Sequence, residues 1–151
     1  MTYIHFGSNK YDPIKFEAVV DTGWIKPYGG LWVSKYKASK FPWWVWCSQN
    51  NYARCEKENS FQIKLKPSAR IFVINSCEDL DKLPQHTENI YRIFAMSEQV
   101  LIDWKKLMRD YDAVEFNLSN DWGLNRKLYG WDCDCVFIMN KDIIEEVNTN
   151  E

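Results

Sequence analysis

Two aspartates set directly ahead of an apolar run are the strongest chemical feature of this sequence. Gly130-Trp131-Asp132-Cys133-Asp134-Cys135 leads into Val136-Phe137-Ile138-Met139, a β-branched and aromatic stretch that reads as a buried strand. A carboxylate at the mouth of such a strand is held still, so Asp134 can be aimed at positive charge that develops during a reaction. Near the other end, Tyr3-Ile4-His5-Phe6-Gly7-Ser8 puts a histidine, His5, in a short apolar strand that ends in small residues. Between them, Gly29-Gly30-Leu31-Trp32-Val33-Ser34 carries an aromatic residue, Trp32, in a strand entered through paired glycines. Missing side chains at Gly30 let a ligand approach the backbone there and at Leu31, and an indole face can stack on a ring. Two further carboxylates compete with Asp134. Glu115 sits in the apolar segment Ala113-Val114-Glu115-Phe116, and Asp132 shares the strand face of Asp134 by the two-residue period, so register alone does not choose between them.

These groups need a scaffold, and the pattern supplies one. Strands are predicted at Tyr3 to Phe6, Leu31 to Ser34, Phe61 to Leu65, Arg70 to Ile74, Tyr111 to Phe116 and Val136 to Met139. The aromatic-rich segment Tyr36 to Tyr52 has helical spacing, with Pro42 suited to a first turn. Ser76 with Asp79 three positions on resembles a capping box, and Pro84 ends that short helix. Apolar residues from Ile90 to Met108 recur at helical spacing, which predicts a helix over Ile90 to Tyr111, broken near Ser97, that covers one sheet face. Asn117 to Tyr129 reads as a polar loop, Asn140 and Asp142 as a terminal turn, and Asn148 to Glu151 as a frayed end. Many short strands outside βαβ alternation predict an α+β domain built on two small, mostly antiparallel sheets flanked by helices. One domain accounts for residues 1–151.

Composition narrows the function. Nineteen basic against twenty-one acidic residues leave a net charge of -2, which is no polyanion-binding signature, although Lys35, Lys37 and Lys40 can meet phosphates locally. Trp, Tyr and Phe, eight each, exceed what packing needs and suit a cleft that stacks on rings, with Trp43 the most promising of the Phe41-Pro42-Trp43-Trp44-Val45-Trp46 cluster. No apolar run is long enough for a membrane span and no signal peptide is visible, so a cytoplasmic protein is expected. Five cysteines, Cys47, Cys55, Cys77, Cys133 and Cys135, with only His5 and His86 to join them, fit buried thiols better than a metal site, and none is expected.

Taken together, the segments Ile4-His5-Phe6-Gly7-Ser8, Gly29-Gly30-Leu31-Trp32-Val33-Ser34 and Asp132-Cys133-Asp134-Cys135-Val136-Phe137-Ile138-Met139 resemble, in order and kind, small ADP-ribosyltransferases of the histidine-tyrosine-glutamate class. That class carries an early strand histidine, an aromatic residue on a second strand entered through glycine, and an acidic residue before a late apolar strand. Trp32 stands where the class has tyrosine and Asp134 where it has glutamate. The resemblance implies an NAD-binding cleft with NAD as co-substrate. His5 would bind the adenosine-side ribose, Gly30 and Leu31 the nicotinamide amide, and Trp32 the nicotinamide ring. Ser34 would orient the acid, and Asp134, with Glu115 as its rival, would stabilise the ribosyl cation. It further implies a protein or nucleic-acid acceptor received by the Asn117 to Tyr129 loop. A neutralising partner protein and a setting as a toxin or phage anti-defence effector also follow from it. Hydrolysis of NAD, or a non-catalytic module on the same fold, are the alternatives.

Overall fold

The computed structural model describes residues 1–88 and 98–149. Seven strands form one sheet: β1 (Thr2–Phe6), β2 (Leu31–Lys35), β3 (Ser60–Leu65), β4 (Ile71–Ile74), β5 (Ala113–Phe116), β6 (Cys135–Ile138) and β7 (Ile144–Thr149), in the order β4-β5-β6-β2-β1-β3-β7. Every neighbouring pair is antiparallel except β4 with β5. The α+β class and the antiparallel character agree with expectation, but the two predicted small sheets are joined into one. The join is slight. β1 pairs with β3 along its whole length, whereas it meets β2 only at Tyr3 with Lys35 and Ile4 with Ser34 before the two strands part.

Alternation along the strands builds a core on each face. On one, Val114, Phe116, Phe137 and Ile74 pack against Leu80, Trp104, Leu107, Leu124 and Trp131. These come in part from α2 (Cys77–Asp81), α3 (Trp104–Leu107) and α4 (Trp122–Lys127). On the other face Tyr3, Val33, Phe61, Ile63, Val136 and Ile138 form the second core. The remaining described helix, α1 (Trp43–Asn50), lies between β2 and β3 in the chain.

Local chemistry explains the element ends. Ser76 Oγ accepts the Asp79 amide at the start of α2 while the Asp79 carboxylate takes the Asn75 amide, the reciprocal cap expected from sequence. Asp112 ties β4, β5 and the end of β6 together: it accepts the Arg70 amide and guanidinium and the Asn140 side-chain amide. The Arg70 guanidinium holds the Asp112 carboxyl well below the usual carboxylate range.

Three sequence expectations give way. Within the described part of the helix expected over Ile90 to Tyr111, only α3 is helical, because Val100, Leu101 and Ile102 are all buried in succession. A surface helix turns about half of its residues outward, whereas an extended segment clamped on both sides buries each one. Here Gln85 bridges Ile102, and the Val100 amide donates to the Lys127 carbonyl. The part of that expectation at 90–97 lies outside the described residues. The polar loop Asn117 to Tyr129 contains α4, capped by Asp121 through the Gly123 amide. The turn expected at Asn140 and Asp142 is present, as one tight helical turn at Lys141–Ile143 capped by Asn140, but Asn148 and Thr149, expected to fray, belong to β7, an edge strand on β3; 150–151 lie outside the described residues. Its polar sequence, Ile144-Glu145-Glu146-Val147-Asn148-Thr149, conceals the pattern because an edge faces solvent.

Candidate functional site

Where β1 and β2 part, the sheet opens a cavity of about 310 Å³ whose lining includes His5, Trp32, Ser34, Trp43, Trp131 and Asp132. Its walls are mainly apolar, with Ile4, Phe6 and Val33 completing the side formed by the two strands and Cys133 and Cys135 the side next to β6. Strands β6, β2 and β1 are consecutive neighbours, so three segments far apart in sequence meet there.

His5 fills the gap left by the interrupted ladder. Its Nδ1 lies 2.8 Å from the Trp32 carbonyl oxygen, and because a carbonyl only accepts, Nδ1 carries the proton. The ring stacks on Phe61 with centroids 4.9 Å apart. Burial pushes the His5 pKa down, and the bond to the Trp32 carbonyl opposes that only in part. The imidazole is therefore neutral near pH 7, and Nε2, near Gly7, is an acceptor. This has a measurable cost in acid. A base whose folded pKa lies below its unfolded value near 6.5 resists protonation in the native state, so stability falls as pH drops from about 6.5 through the folded pKa. Denaturant midpoints at pH 7.5 and 5 should show that loss in the wild type and a smaller one in His5→Gln, and an identical loss in both would remove His5 as its source.

Trp32 packs on Phe137 with centroids 4.3 Å apart and meets Trp131 edge-on at 5.0 Å. Trp131 is fixed in turn by Phe116, at 4.1 Å, and by a hydrogen bond from Nε1 to the Ile25 carbonyl. Ser34 lines the cavity but does not orient an acid: its Oγ accepts the Trp43 amide at 3.3 Å and so caps α1, whose N-terminal Pro42 has no side-chain acceptor. Trp43 itself stacks on Trp46, 5.1 Å away and nearly parallel, with Tyr52 edge-on to both.

The expected acids fall elsewhere. Asp134 is buried, and its carboxylate accepts four hydrogen bonds, from Ser39 Oγ, the Phe41 amide, the Ser119 amide and Ser119 Oγ. It clamps the approach to α1 and the turn after β5 onto the start of β6, and it is not among the residues lining the cavity. Glu115 faces the second core's side of the sheet, paired with Lys35 at 2.6 Å and bonded to Asn117 at 2.7 Å. Asp132 is the carboxylate on the cavity wall, its side chain 38% exposed and 3.9 Å from the Lys26 ammonium. Asp132 and Asp134 do not share a face because β6 begins only at Cys135, so strand alternation does not reach back to them.

Gly30 and Leu31 also depart from expectation. The Gly30 amide donates to the Glu17 carbonyl, and a Cβ there would lie 2.4 Å from the Phe137 ring, so the missing side chain makes room for β6 and not for a ligand. Leu31 pairs with Ile138 and turns toward the second core. Trp131, Phe6 and Lys26 were not anticipated. The adjacency of Trp131 to Asp132, and of Lys26 to the paired glycines, were the available signals.

A second cluster lies near the loop that carries Lys26. Asp21, His86 and Asp103 come within 4.8 Å of one another. His86 Nε2 sits 2.9 Å from Asp21 Oδ2, and Lys106 Nζ 2.9 Å from Asp103 Oδ2. Since Asp21 also accepts the Gly23 and Lys105 amides, the cluster works as a clasp for the segment that begins at Asp21. Among the thiols, the neighbouring Cys133 sulfur and burial hold Cys135 well above the usual thiol range, and burial with contact to Cys47 pushes Cys55 up to about 12. No described helix is long and apolar enough to cross a membrane. In comparisons with known proteins, no family model, curated protein or solved structure matches the chain.

Proposed function

We propose that the chain is an NAD-dependent ADP-ribosyltransferase, which moves ADP-ribose to a protein or nucleic-acid acceptor and releases nicotinamide. One observation carries the reading: His5, Trp32 and the carboxylate of Asp132 line a single, largely apolar cavity at the seam between β1 and β2. In this reading the nicotinamide ring lies against Trp32 and Trp131, and neutral His5 accepts a ribose hydroxyl at Nε2. Breaking the bond between nicotinamide nitrogen and ribose carbon sends the electron pair to the ring and leaves positive charge on the ribose. Asp132, the carboxylate on the cavity wall, stabilises that charge. The acceptor's nucleophilic atom then bonds to the same carbon and loses its proton, with Asp132 or water as base. Asp134 supports the site at one remove, by fixing the backbone that carries Asp132.

Incubation with NAD and chromatographic measurement of nicotinamide tests this. Release should fall by about 10²–10³-fold in Asp132→Asn, while the melting temperature stays within about 2 °C of wild type, since loss of a half-exposed ion pair costs little. Full activity in Asp132→Asn would reject the acid. A second reading, a binding module without turnover, draws on the engagement of Asp134 and Glu115 by neighbouring side chains. Calorimetry that finds tight NAD binding with no nicotinamide release under any acceptor would favour it.

A further inference from the structure

The cavity holds a positive charge of its own. Lys26 Nζ lies 5.7 Å from the Trp131 ring centroid and 6.0 Å from that of Trp32, in reach of both faces, and 3.9 Å from Asp132 Oδ2. Two indoles at 67° to each other with a carboxylate beside them form a cage whose electrostatics favour a cation. The backbone that carries Lys26 is pinned. Val20 and Tyr28 close the loop by an antiparallel bridge, the Asp21 clasp holds its base, and the Ile25 carbonyl receives the Trp131 indole N–H. The side chain beyond that backbone is 45% exposed, so the ammonium can leave by rotation alone.

We propose that Lys26 is the resident plug of an aromatic cage selective for planar organic cations, and that such a ligand displaces its ammonium from the two indoles. The inference rests on the reading of this pocket as the place of the nicotinamide ring, and it adds a selectivity to that reading. An ammonium is compact and strongly hydrated, whereas a pyridinium spreads its charge over a flat ring that sheds water cheaply and stacks on Trp32. Exchange of the first for the second keeps Asp132 paired and increases the area of aromatic contact. When a reaction turns the pyridinium into neutral nicotinamide, the cage loses its preference for the ring, Lys26 returns, and product leaves.

Titration calorimetry with the N-methylnicotinamide cation and with neutral nicotinamide tests the proposal on wild type, Lys26→Gln and Asp132→Asn. The cation should bind wild type about three- to tenfold more tightly than the neutral ring. Lys26→Gln, which removes the charge and shortens the side chain by one atom, should tighten the cation several-fold and leave nicotinamide within about twofold. Asp132→Asn should weaken the cation alone. Equal affinity for the two rings, no binding of either, or a cation affinity unchanged or weakened in Lys26→Gln would each overturn the proposal. A lysine placed to meet pyrophosphate would instead weaken ADP-ribose when removed and leave the cation unchanged. Cation selectivity in a protein that never releases nicotinamide from NAD would sink the transferase reading and uphold the cage.

Discussion

Asp134→Ala is expected to cost the protein a large share of its stability, not merely to change the chemistry of an intact fold. The carboxylate is 3% exposed and is the acceptor for two hydroxyls and two backbone amides at 2.8 to 3.1 Å. Truncation leaves those donors in a space that water reaches poorly, at about 1–3 kcal/mol for each one that stays unsatisfied. Even with partial rescue by entering water, the loss is about 4 kcal/mol, against a total of about 5–15 kcal/mol for a domain. Urea unfolding should therefore show a large drop in midpoint with little change in slope. Asp134→Asn keeps the volume and two acceptor lone pairs but turns an amide N–H₂ toward some of the donors, so it should fall between wild type and alanine. A midpoint in Asp134→Ala close to wild type would refute the clamp. Asp132→Asn, by contrast, changes chemistry and spares the fold, and the pair of variants separates the two aspartates.

Gly30→Ala is expected to be the other severe substitution, by about 3 kcal/mol. Two independent penalties add. At φ +65° a Cβ meets the following carbonyl, which costs about 1–2 kcal/mol. The new methyl also lies 2.4 and 2.6 Å from Phe137 ring atoms and 2.8 Å from the Ile138 carbonyl oxygen, and overpacking of that kind costs about 1–3 kcal/mol. Phe137 is fully buried against Trp32 and Trp104, at 4.3 and 5.3 Å, so it cannot yield without moving the cavity wall. For a domain of this size the loss lowers the melting temperature by about 10 °C. Gly130→Ala is the internal control. It has φ +85° but nothing within 4 Å of its Cβ, and it should show the backbone penalty alone. Equal melting temperatures for the two variants would mean that the contact with Phe137 is not tight.

The strands that carry His5 and Trp32 were legible because each is a short apolar run between turn residues, and such runs specify burial whichever partner they find. Which carboxylate reaches the cavity was not legible. Choosing between Asp132 and Asp134 required knowing where β6 begins, and the two-residue period says nothing about side chains that precede the first ladder pair. Ser39 and Ser119, which engage Asp134, are 95 and 15 positions away, one at the start of a segment read as helical and the other in one read as a polar loop, and neither pattern points to a shared carboxylate. Gly30 carried an ambiguous signal, since a glycine that admits a ligand and one that admits a neighbouring ring look alike in sequence. The joining of two sheets into one depended on two residue pairs between β1 and β2, below the level any periodicity records.

The order of strands has a consequence for how the chain reaches this state. β6 lies in the middle of the sheet, between β5 and β2, yet Leu31 meets Ile138 and Phe61 meets Thr149, partners separated by more than eighty positions. Closing such long intervals carries its entropic cost before any contact repays it, which places folding in the slow, millisecond-to-second regime of non-local topologies. On a ribosome, β2 and β3 would wait with open edges until β6 and β7 had emerged, and in that interval the nascent chain presents unpaired apolar strands to whatever surrounds it.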